Sequence, residues 1–60
     1  MTKKLRWKMV DAYATRSDAE DLVEQLEGRG DKAKAQYSAP YYPRPWLVFV
    51  DADSDYRSYH

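Results

Sequence analysis

Sixty residues leave room for one hydrophobic core, and the absence of cysteine removes disulfides and thiol chemistry as supports for it. Seven of the hydrophobic residues are Ala and six are Tyr, so eleven Leu, Val, Met and Phe and two Trp must exclude water. The formal net charge is zero, which argues for a folded chain over a charge-expanded one and against the basic excess common in nucleic-acid-binding domains.

No apolar run approaches the roughly 18 residues that span a bilayer. The basic start from Lys3 to Lys8 runs into a strand pattern where a signal peptide would have its hydrophobic region. A soluble cytoplasmic protein with no membrane partner is therefore expected. The zero charge hides a division: Lys3, Lys4, Arg6 and Lys8 precede an acidic block of Asp18, Glu20, Asp21, Glu24 and Glu27.

From Leu5 to Ala14, Leu5, Trp7, Met9 and Tyr13 recur at period two between Arg6 and Lys8, the alternation of a half-buried first strand. Ser17 followed by Glu20 reads as a capping box that starts a helix. Ala19, Leu22, Val23 and Leu26 then make one apolar stripe, with Asp18, Asp21 and Glu24 off it. Gly28 and Gly30 supply left-handed conformations to end that helix.

Asp31 to Ser38 reads as a weakly hydrophobic second strand, with Ala33, Ala35 and Tyr37 alternating against Lys32, Lys34 and Gln36. Three prolines in residues 40–45 make the segment from Ala39 to Pro45 a stiff, extended loop. Trp46 to Val50 is apolar at every position, as in a central strand covered on both faces. The polar stretch 51–60 reads as a partly ordered tail, and the whole chain as one domain.

A right-handed crossover makes strands one and two parallel, and the apolar third strand fits antiparallel between them. The expected fold is α+β, in β-α-β-β order, with a three-stranded sheet of order 1-3-2 and one helix on one face. Two parities satisfy the alternation. In the one we take, Leu5, Trp7, Met9, Ala33, Ala35 and Tyr37 lie under the helix and Arg6, Lys8, Lys32 and Lys34 line the free face, because four cations under a helix would be costly. In the other, Val10, Ala12 and Ala14 face the helix and Trp7, Met9, Tyr13 and Tyr37 form an aromatic platform.

The strand ending in Tyr13, Ala19 six residues on, the run Leu22 to Leu26, Gly30 and the strand Trp46 to Val50 together resemble the first two-thirds of a SPOR domain. That resemblance covers about 45 residues at packing positions and implies a ferredoxin-like or RNP-like fold. Members of that family bind septal peptidoglycan and are usually membrane-tethered. Met9 or a neighbour stands where the family carries a polar glutamine, and neither a second helix, a fourth strand nor a tether is evident in these residues.

Under either parity an apolar strip stays exposed, which on a small chain marks an interface. The expected function is non-enzymatic protein binding, as a homodimer or as a regulator or inhibitor docked on a larger protein; mini-proteins of this size, phage-encoded ones among them, often act so. Tyr41, Tyr42, Arg44 and Trp46, in and beside the proline loop, are candidate contacts because aromatic and Arg side chains dominate interface energetics. Arg6, Lys8, Lys32 and Lys34 complete the set. The alternative is single-stranded RNA or DNA binding, with rings stacking bases and cations following the backbone.

Catalysis lacks its usual parts: His60 is the single histidine, and no glycine-rich phosphate loop or nucleophile elbow is present. Asp11 and Asp51 could meet across adjacent strands as a carboxylate pair. Asp51, Asp53 and Asp55 resemble the opening of a calcium loop, but Tyr56 occupies the position that needs glycine. No cofactor, metal or small-molecule substrate is expected.

Overall fold

The computed structural model describes residues 6–57, so the expectations for Leu5, Lys3, Lys4, Tyr59 and His60 lie outside the described residues. β1 (Trp7–Tyr13) leads into α1 (Arg16–Gly28), followed by β2 (Ala33–Tyr37), a 3-10 turn at Ala39–Tyr41 and β3 (Trp46–Asp51). β3 is central and antiparallel to both neighbours, giving the order β1-β3-β2 with the outer strands parallel to each other. This is the expected α+β topology.

The helix begins two residues earlier than the capping-box reading placed it. Thr15 has extended backbone angles, and its hydroxyl accepts the Asp18 N–H at 3.3 Å. Glu20 does not reach back to Ser17, because its carboxylate is held by Arg16 Nε at 2.9 Å. At the other end the Asp31 N–H bonds to the Leu26 carbonyl at 3.1 Å and the Gly30 N–H to that of Glu27 at 3.0 Å, a Schellman closure. Gly30 alone takes the left-handed angle that closure needs, at φ 96°; Gly28 stays within the helix.

The core joins Ala19, Leu22 and Leu26 of α1 to Val10, Val48 and Val50 of the sheet. Ala33 and Ala35 pack at its margin. Their small side chains let the helix settle over β2 and β3, leaving β1 less covered. The segment after β3 fills that gap: Tyr56 packs against the core, and the Ser54 carbonyl accepts from Lys8 Nζ at 2.7 Å. Arg29 holds this segment from the helix end, with Asp55 at 2.8 Å and the Tyr56 ring at 5.4 Å. Tyr56 of the expected tail thus packs at the margin of the core, between the exposed Asp55 and Arg57.

Neither parity expected from the alternation is correct for the whole sheet. β2 follows the first, with Ala33 and Ala35 on the helix side and Lys34 opposite Phe49 on the far face. The start of β1 follows the second: Trp7 and Met9 pair with Asp51 and Phe49 and turn away from the helix. Val10 keeps the alternation and enters the core; the register shift between Met9 and Asp11 then reverses it, so Ala12 sits on the far face opposite Leu47 and Tyr13 packs at the edge of the core. The cation objection dissolves on the same observation. Of the strand lysines only Lys8 falls on the helix side, and its stem carries the ammonium out to the Ser54 carbonyl.

Candidate interaction surface

The face of the sheet away from the helix has two halves. Ala12 and Leu47, cross-strand partners outside the core cluster, are each only 5% exposed, so the half nearest the β2–β3 loop is closed over. The other half carries Trp7, Met9 and Phe49, all half-buried. Lys34 reaches across it from β2, its Nζ 4.9 Å from the Trp7 ring centre and 5.6 Å from that of Phe49. One ammonium thus spans rings from two other strands, a cation–π arrangement that holds the charge over an apolar strip.

The β2–β3 loop is a chain of turns and not an extended segment. Tyr41 N–H bonds to the Ser38 carbonyl, Tyr42 N–H to Ala39 and Arg44 N–H to Tyr41, and the base closes where Ser38 N–H meets the Pro45 carbonyl at 2.7 Å. Pro45 is buried, whereas Tyr41 and Tyr42 are 52% and 78% exposed and Arg44 projects beside them. Tyr37, 54% exposed, leans edge-on against Trp46 with ring centres 5.2 Å apart.

The eight expected contact residues therefore do not form one surface. Tyr41, Tyr42 and Arg44 share the loop. Trp46 lies outside the loop, at the start of β3, where it pairs with both Tyr13 and Tyr37 and packs against the core. Lys34 lies on the open face, while Lys8 is drawn to the helix side. Arg6 and Lys32 sit at the far end of the sheet from the loop, their carbonyls accepting from Ala52 and Asp51 N–H. The residues the expectation omitted from its contact set are Trp7, Met9 and Phe49; the adjacent apolar pair Met9 and Val10 was the available sign that the alternation breaks there.

Asp11 and Asp51 are not brought together, since Asp11 pairs with Val48 and Asp51 with Trp7, at opposite parts of the ladder. Asp11 is engaged locally: its carboxylate accepts the Ala12 N–H at 2.8 Å and the Tyr13 hydroxyl at 2.9 Å. Burial, with that bond and the nearby Asp11 charge, pushes the Tyr13 phenol up to about 12. Asp51 accepts the Asp53 N–H at 3.0 Å as a turn residue, and among the described residues no group of three metal-binding side chains converges.

No family model, curated protein or solved structure matches this chain. Among the described residues no helix is long and apolar enough to cross a membrane.

Proposed function

We propose that this chain is a protein-binding module that acts by docking and not by catalysis, as a regulator or inhibitor of a larger protein. The observation that carries this reading is the Trp7, Met9 and Phe49 strip under Lys34. Two aromatic rings and a thioether on a rigid sheet are the materials of an interface centre. The Tyr41–Tyr42 loop, held by its own turns, adds exposed rings that lose little freedom on contact.

Single-stranded nucleic acid fits this surface less well. Lys34 already lies over the Trp7 and Phe49 rings, where stacked bases would go. The test is photo-crosslinking from a benzoylphenylalanine placed at Met9, in cell extract, beside fluorescence titration with single-stranded oligonucleotides at two salt concentrations. The expected result is crosslinking to a discrete protein, lost in Trp7→Ala, and no salt-sensitive oligonucleotide binding. Oligonucleotide affinity falling by roughly 0.7 log units per log unit of salt for each phosphate contact would overturn the protein reading.

A further inference from the structure

The two edges of the sheet differ. On β1 the irregularity between Met9 and Asp11 breaks the spacing of outward main-chain groups, a device that discourages strand addition. β2 pairs with β3 in unbroken register from Ala33 to Tyr37. The Lys32 carbonyl accepts from Asp51 N–H at 3.0 Å and Ser38 N–H donates to Pro45 at 2.7 Å, which fixes the ladder. Lys32, Lys34, Gln36 and Ser38 therefore turn their N–H and C=O groups toward β3, and Ala33, Ala35 and Tyr37 turn theirs to the free edge. Among the described residues those outward groups have no hydrogen-bond partner.

We propose that a second copy of this chain pairs antiparallel along the free edge of β2, about a two-fold axis at Ala35. The strand is self-complementary in that one register. Ala35 faces Ala35 of the second copy and Ala33 faces Tyr37, so every outward group finds a counterpart. On the open face Lys34 then stands opposite Gln36. Sliding by one two-residue step would set Lys34 against Lys34, a like-charge pair that costs stability, and sliding the other way leaves Ala33 unpaired.

The helix supports the same occupant. Val23 is half-buried on one flank of the Leu22–Leu26 stripe, and the helical wheel puts Arg29, which holds Tyr56 over β1, on the other. With α1 packed most heavily on β2, the Val23 flank lies toward β2, and pairing there would bring the two helices side by side. The product is a six-stranded sheet with both helices on one side. It joins two Trp7, Met9 and Phe49 strips into one continuous face, and it does not depend on whether that face binds a further protein.

The experiment is light scattering over a roughly hundredfold concentration range, in which a self-associating chain changes mass. The wild type is expected to reach a dimer. Ala35→Pro removes an outward N–H while leaving the bonds to β3, so it is expected to be monomeric with an unchanged circular dichroism spectrum. Gln36→Glu would oppose Lys34 twice with opposite charge and tighten the dimer by about fivefold, and Gln36→Lys would loosen it comparably. Trp7→Ser should leave the dimer intact. A wild type monomeric throughout, or a dimer that survives Ala35→Pro but is lost in Trp7→Ser, overturns the proposal. If Ala35→Pro fails to fold, equal dissociation constants for the two Gln36 variants overturn it as well.

Discussion

Phe49 and Val50 are neighbours in β3 and occupy different environments. Val50 is fully buried, sealed among Val10, Val48 and the Leu22–Leu26 stripe, while Phe49, the larger side chain, is half-buried on the opposite face under the Lys34 ammonium. The helix side carries the main core, aliphatic at its centre with Tyr13, Trp46 and Tyr56 packed at its margin. The far side carries rings and a thioether beyond what that core uses. Trp7, Met9 and Phe49 are part-covered and lie outside the core cluster, and the proposed docking rests on that feature.

Three substitutions probe that division, from the largest effect to the smallest. Leu26→Ala cuts into the fully buried centre under the helix. It is expected to cost about 2–5 kcal/mol by urea denaturation, enough to unfold a domain this small. Tyr56→Ala tests whether the segment after β3 is core, and should cost about 1–3 kcal/mol while also releasing Lys8 and Arg29 from their partners. A loss within about 0.5 kcal/mol would return that segment to solvent.

The smallest effect is one of pH. The Tyr13 phenol stays protonated in the fold up to about 12, above its ordinary value of 10.0, through burial and its bond to Asp11. The folded state therefore holds a proton that the unfolded chain gives up. Stability from this group is complete below pH 10.0 and is lost as pH rises toward 12. Unfolding measured across that range should show a steeper loss for the wild type than for Tyr13→Phe. Parallel curves would mean that the hydroxyl is not held.

The topology was legible because its signals were strong: an amphipathic stripe ending at Leu26, glycine at residue 30 and an all-apolar strand flanked by lysine-bearing ones. Which face each residue of β1 presents was not, because one extra residue near Val10 reverses the alternation and no rule of period two anticipates it. The core role of Tyr56 was hidden for a different reason. It stands alone among Asp, Ser and Arg, so no periodicity singled it out, and only the gap left by a helix leaning toward β2 gives it a place. The loop was legible as stiff and tyrosine-rich, but Trp46 beside it was drawn into the sheet by pairing with Tyr13 and Tyr37.

The division of the two faces meets its most direct test in β3 itself, by comparing the urea unfolding of Phe49→Ser with that of Val50→Ser. Val50→Ser places a hydroxyl in the sealed core and is expected to cost about 3 kcal/mol or more, leaving little folded protein. Phe49→Ser removes the larger side chain yet should lose only about 1–2 kcal/mol and keep a cooperative transition, because that ring is only part-buried and lies outside the sealed core cluster. If Phe49→Ser unfolded the chain as completely as Val50→Ser, the far face would be a second core, and the strip of Trp7, Met9 and Phe49 would be structural.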